Sequence, residues 1–228
     1  KMKTFLFGIL TALVALGVNA QGTWTQKADF AGAARFYAVG FSIGSKGYIG
    51  TGYTEIYYNY GYVRDFWEYD PSTNVWTQKA NFGGAVRCYA SGFSINGKGY
   101  IGMGEYWNGA ENTYFKDFWE YDPQVNIWTK KADFGGAARS QAAGFSLDNK
   151  GYIGTGAGTG YYKDFWEYDP VADLWTQKAN VPGPERENAV AISFNGKGYA
   201  GLGSTPGQST DLSDFYEYSP SENAWTQK

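Results

Sequence analysis

Between Trp24 and Lys228 most of the chain is made of short runs in which apolar and aromatic residues alternate with small or polar ones, at a period close to two. An amphipathic helix would place its apolar residues three and four apart, so this alternation predicts strands. The runs themselves recur. Trp24, Trp76, Trp128, Trp175 and Trp225 each open nearly the same phrase, Trp-Thr-Gln/Lys-Lys, at intervals of 52, 52, 47 and 50 residues. Positions shared by every unit belong to the scaffold, and positions that differ between units are where function is to be sought.

Four strands fit one unit. The run from Arg35 to Ile43 combines small and apolar residues and forms strand a, and Gly47 to Gly52 forms a short strand b ending in a flexible turn. Asp65-Phe66-Trp67-Glu68-Tyr69-Asp70-Pro71 predicts an aromatic strand c stopped by Asp-Pro, because proline fixes its own backbone and lacks the donor a sheet ladder needs. The chain returns as strand d, Val75 to Lys79. From each repeat Trp to the last glycine of the following strand b (Gly52, Gly104, Gly156, Gly203) the distance is always 28 residues. From Asp65, Asp117, Asp164 and Asp214 to the next repeat Trp it is always 11. All length variation therefore falls between strands b and c, at 53–64, 105–116, 157–163 and 204–213, which hold 12, 12, 7 and 10 residues.

An arginine at the head of strand a, the Gly-Tyr-Ile/Ala-Gly-x-Gly strand, the Tyr-Asp-Pro turn and the Trp of strand d resemble the kelch repeat, whose unit is about 50 residues. The resemblance covers Trp24 to Lys228 and implies an all-β, kelch-type β-propeller with strand a lining a central channel and strand d outermost. The units fall at about 24–75, 76–127, 128–174 and 175–224, with a further strand starting at 225–228. This amounts to four complete four-stranded blades plus an extra outer strand at Trp24. The resemblance implies a piece of a six- or seven-bladed ring; a closed four-bladed ring lies within the general range of four to eight. The near-verbatim units also resemble kelch proteins exported by Bacteroidetes-type bacteria.

Met2-Lys3, the apolar run Phe5 to Val18 and Val18-Asn19-Ala20 before Gln21 read as a secretory signal peptide at 1–20, cleaved after Ala20. A run of 14 is shorter than the roughly 20 residues of a spanning helix, so no membrane span is expected after cleavage. The propeller at 21–228 is then expected to be secreted, periplasmic or displayed on a bacterial surface. Its formal charge, −3 for the whole chain, disfavours a nucleic-acid partner, which needs clustered positive charge. Cys88 is the only cysteine, so no internal disulfide forms despite export.

The chain contains no histidine, which removes His-based acid-base catalysis, Ser-His and Cys-His nucleophile pairs and the commonest nitrogen ligand for zinc or copper. The family's best-known enzyme, galactose oxidase, holds copper with Tyr and His ligands and a cross-linked Tyr-Cys pair. Cys88 beside Tyr89 does not replace that pair, because neighbours on one strand point to opposite faces. Neither a metal nor another cofactor is expected. Asp65, Glu68 and Asp70 recur as Asp117, Glu120 and Asp122 and as Asp164, Glu167 and Asp169, which marks them as turn caps and sheet-face partners. Glu187 is the one unmatched carboxylate of interest, standing where the other units carry Phe36, Cys88 and Ser140. It is the single catalytic candidate.

Arg35, Arg87, Arg139 and Arg186 supply one guanidinium per blade, able to converge on an anionic ligand or to tie one blade to the next. The variable segments carry Tyr57, Tyr58, Tyr60, Tyr62, Tyr106, Trp107, Tyr114, Tyr161 and Tyr162, along with Tyr53 and Phe115. Of nine Trp residues only Trp107 lies outside a repeated strand position. Strands alternate in direction, so the b–c and d–a connections share one face, and aromatics raised there over a rigid frame suit stacking on sugar rings or anchoring a protein. The leading expectation is a non-catalytic binding propeller for a glycan or an extracellular protein. A carbohydrate-active enzyme resembling kelch sugar mutarotases or epimerases, and a structural module of a longer surface protein, are the alternatives.

Overall fold

The computed structural model describes residues 22–56 and 59–228, so the expected leader, Tyr57 and Tyr58 lie outside the described residues. Four antiparallel four-stranded sheets follow one another along the chain. The first joins Val39–Ile43, Lys46–Gly50, Phe66–Asp70 and Val75–Lys79 in the order a-b-c-d. The second joins Ser91–Ile95, Lys98–Gly102, Phe118–Asp122 and Ile127–Lys131, and the third Ala143–Leu147, Lys150–Gly154, Phe165–Asp169 and Leu174–Lys178. Val190–Phe194, Lys197–Gly201, Phe215–Ser219 and Ala224–Gln227 make the fourth. Strands a of successive sheets are neighbours, as in blades around an axis.

Two expectations change at the strand level. Residues 22–30 pair with no sheet and Trp24 is fully exposed, so the extra outer strand at the N-terminal end does not form. The strand at 225–228 is the outer strand of the fourth blade itself. Strand a is also shorter than Arg35 to Ile43. Arg35–Phe36 is a separate two-residue strand, and Tyr37 then turns into the left-handed region at φ 57°, as do Tyr89, Gln141 and Asn188 at 54°, 58° and 57°. The reversal aims these peptide groups around the axis: Tyr89 N–H donates to the Tyr37 carbonyl, Gln141 to Tyr89 and Asn188 to Gln141.

The core lies between blades. Phe118 of the second blade meets Tyr168 and Trp175 of the third edge-to-face at 4.9 and 5.0 Å, and Phe66 and Phe165 make the same contacts in their own interfaces. Each fully buried aromatic contributes roughly 1.5–3 kcal/mol. Phe41, Phe93 and Phe145 project from strand a onto Gly99, Gly151 and Gly198 of the next blade, where a Cβ would collide with the ring. At the outer turn Asn74, Asn126, Asp173 and Asn223 adopt positive φ, and each Oδ1 accepts both a tyrosine hydroxyl of its own blade and a backbone N–H of the preceding connection. The indole N–H of Trp76, Trp128, Trp175 and Trp225 donates to the carbonyl of that same preceding residue, an alanine. One Trp and one Asn or Asp per unit thus hook each blade to the one before.

Candidate functional site

The variable segments are small hairpins standing on one face. Tyr53–Ile56 pairs with Asn59–Tyr62 and, on its other edge, with Arg35–Phe36. Glu105–Trp107 pairs with Asn112–Tyr114, and Cys88 bridges to Glu105. In the third unit Arg139–Ser140 pairs with Ala157–Gly158, and in the fourth Glu187 bridges to Ser204. The b–c and d–a connections therefore share a face, because each variable hairpin uses its d–a segment as a third strand.

The arginine row lies beneath these hairpins and is occupied internally. Arg87 sends Nη1 and Nη2 to Asp117 at 2.6 and 2.9 Å and a second Nη1 bond to the Met103 carbonyl. Arg35, Arg139 and Arg186 do the same with Asp65, Asp164 and Asp214. Trp67, Trp119 and Trp166 add an indole N–H to each aspartate, and Tyr216 adds its hydroxyl in the fourth. Arg87 and Arg139 are completely buried, each sandwiched between two rings: Phe82 and Phe115 for Arg87, Phe134 and Tyr162 for Arg139. Burial pushes the Asp117 carboxyl upward, but the hydrogen bonds and charge of Arg87 and the Trp119 donor outweigh it and hold the group below the ordinary carboxylate value. The four guanidiniums have their forks filled by carboxylates of this chain, so they do not present an anion site. Tyr162 is the roof over Arg139.

The expected aspartates at 65, 117 and 164 are accordingly arginine partners and not turn caps, whereas Asp70 does cap its turn by accepting the Ser72 N–H at 2.9 Å. Glu68 and Glu120 accept the hydroxyls of the buried Tyr48 and Tyr100 and pair with Lys46 and Lys98. Glu187 is 5% exposed and sits in the backbone bridge to Ser204. Among the described residues no three of Cys, Asp and Glu converge as a metal-binding set.

Four of the aromatic residues meet between the first two hairpins. Tyr53 and Tyr62 pack edge-to-face at 4.7 Å, Tyr62 meets Tyr106 of the next hairpin at 4.9 Å, and the Tyr62 hydroxyl accepts the Trp107 N–H at 3.1 Å. These rings, with Trp107 and Asn108, line a groove of about 300 Å³ between the first two hairpins. Among the described residues its wall contains no charged side chain, and Trp107 stands 46% exposed at its edge. Tyr60 belongs to the same hairpin through its backbone. Tyr114 lies in the partner strand of the second hairpin, and Tyr161 accepts the Gly207 N–H at 2.9 Å, linking the third hairpin to the fourth.

Phe36, Tyr37 and Tyr89 complete the aromatic surface and were missed as site residues. Phe36 packs on Tyr53 at 5.2 Å, and Tyr37 stacks on Tyr89 at 3.8 Å over the mouth of the axis. A dish of about 250 Å³ there is lined by Tyr37, Tyr89, Gln141 and Asn188. Their signal was in the chain: the pairs Phe36-Tyr37, Cys88-Tyr89, Ser140-Gln141 and Glu187-Asn188 follow the repeated arginines but do not repeat.

The sheets, their order and their inward strands define the class of the protein as a β-propeller. No family model matches the chain, and no curated protein matches it. Among solved structures it is similar to that of YjhT, with a TM-score of 0.66 at 16% identity over 90% of this chain and 87% of that one. At that identity the likeness speaks for the fold alone.

Proposed function

We propose that the chain is an exported, non-catalytic binding propeller that recognises an uncharged glycan in the groove between its first two hairpins. The observation that carries this reading is the groove itself: Tyr53, Tyr62, Tyr106 and Trp107 around about 300 Å³, with no charge in the wall among the described residues. A pyranose ring offers an apolar C–H face to aromatic rings and hydroxyls to groups such as Asn108, and a pocket of few polar groups among rings suits it. The enzyme reading needs the arginine row to face a substrate; the guanidiniums are instead held by aspartates.

The test is binding of the purified protein to an array holding neutral, sialylated and uronate-containing glycans. Trp107→Ala and Tyr106→Ala are expected to weaken capture of neutral glycans tenfold or more, about 1.4 kcal/mol, while Trp24→Ala leaves it unchanged. Equal binding by all three variants, or preference for the acidic glycans, would refute the proposal.

A further inference from the structure

The dipeptide Asn-Gly occurs at Asn96-Gly97, Asn108-Gly109 and Asn195-Gly196. An asparagine followed by glycine is open to attack on its own side chain, because no Cβ shields the next backbone nitrogen from the side-chain carbonyl carbon. The three copies share this chemistry and differ in how the fold holds them.

Asn96-Gly97 and Asn195-Gly196 are the two-residue turns between strands a and b of the second and fourth blades. Ladder pairs close directly on them, Ile95 with Lys98 and Phe194 with Lys197. Both residues of each turn have positive φ, 50° and 78° in one and 49° and 71° in the other, as in a tight hairpin turn. Closing a five-membered ring between the asparagine side chain and the glycine nitrogen requires the peptide between them to rotate. The flanking ladder resists that rotation.

Asn108-Gly109 stands in a different setting. Trp107 opposite Asn112 closes the second variable hairpin and leaves residues 108–111 as its tip. Asn108 Oδ1 accepts the N–H of Ala110 at 2.8 Å and of Glu111 at 2.9 Å. These donors polarise the side-chain carbonyl and point at the oxygen on which negative charge develops when its carbon is attacked. The Gly109 N–H has no acceptor among the described residues. A Cβ at Gly109 would meet nothing within 4 Å, so the tip has space for the peptide to turn. One loop thus supplies a polarised carbonyl, an unengaged nitrogen beside it and room to move.

We propose that Asn108 is a self-modification site. The Gly109 nitrogen bonds to Asn108 Cγ, the bond from Cγ to the side-chain nitrogen breaks, and the Gly109 proton leaves with that nitrogen as ammonia. Water then opens the cyclic imide at either of its carbonyls, giving aspartate or isoaspartate with no oxidant or cofactor. Asn108 lines the neutral groove, so the product sets a carboxylate into that wall. The consequence for binding rests on the glycan reading of the groove. The amide donates hydrogen bonds and the carboxylate only accepts them, while isoaspartate also lengthens the main chain beside Trp107. The groove therefore loses its ligand as the chain ages.

Peptide mapping by mass spectrometry of the purified chain, held in mildly alkaline buffer, tests the inference. Asn108 is expected to convert about tenfold faster than Asn96 or Asn195, or more, with isoaspartate among its products. Gly109→Ala is expected to slow the conversion, since the added Cβ shields the nitrogen. In urea the three sites are expected to react alike, because only the fold separates them. Equal rates in the native chain, an Asn108 advantage that survives urea, or aspartate without isoaspartate would overturn the inference. These readouts involve no glycan and stand or fall apart from the groove reading. On the glycan array, aged protein and Asn108→Asp are expected to capture neutral glycans about tenfold less well than fresh protein. Capture unchanged after full conversion would overturn the effect on the groove, whereas fresh protein that captures none would refute the groove reading alone.

Discussion

Arg87 shows how much a single side chain carries here. Its planar fork is filled by Asp117 and the Met103 carbonyl, and its two faces by Phe82 and Phe115. Removing it leaves Asp117 and a backbone carbonyl without their donor, so Arg87→Ala is expected to lower unfolding stability by roughly 3–5 kcal/mol. Arg35 stacks on Phe30 alone, because Val63 stands where Phe115 covers Arg87, and Arg35→Ala is expected to cost less. Urea unfolding of the two variants measures the difference; equal losses would show that the second ring is irrelevant. Cys88 is the other instructive residue. It is 3% exposed, and burial, then the charge of Glu105, pushes its thiol up to about 12. Since the thiolate is the reactive form, iodoacetamide at neutral pH is expected to leave folded Cys88 unmodified and to label it fully in urea. Rapid labelling of the native protein would contradict that burial.

At the scale of elements, the strands were legible because their period, their Asp-Pro stops and their constant spacings all act locally. What escaped was non-local. The break in strand a depends on a left-handed peptide at Tyr37, Tyr89, Gln141 or Asn188, stabilised by a bond to the neighbouring blade and not by the residue's own preference. The arginine row was recognised as a row, but its aspartate partners lie 25 to 30 residues away, a separation that only the closed blade brings into contact. The described loop aromatics stand on the variable hairpins, whose positions the constant spacings mark out. Which of them are scaffold could not be read from composition, since Tyr162 roofs an arginine while Tyr106, also on a variable hairpin, lines a groove.

At the scale of the molecule, blades are joined by equivalent contacts, and loss of one class of contact affects every junction together. The carboxyls of Asp65, Asp117 and Asp214, and of Glu68 and Glu120, lie below their ordinary values of 3.8 and 4.5. For Asp214 the Arg186 bonds are the leading cause; for the others burial opposes and the arginine, lysine, Trp or Tyr donors prevail. Groups depressed in the native state contribute stability that is complete above their unfolded values and is lost as pH falls through the native ones. The urea midpoint is therefore expected to hold from neutral pH down to about 4.5 and to decline below it as the carboxyls of these pairs, one set within each blade, take up protons. A midpoint at pH 3 equal to that at pH 7 would contradict the pairing.

The chain of backbone hydrogen bonds around the axial mouth has a further implication. Because the same N–H to C=O bond links Tyr37, Tyr89, Gln141 and Asn188 whether a phenol or an amide stands there, that link does not depend on the side chain. A phenol can be traded for an amide in one unit while its neighbours keep their grip, so the opening can acquire new selectivity one substitution at a time.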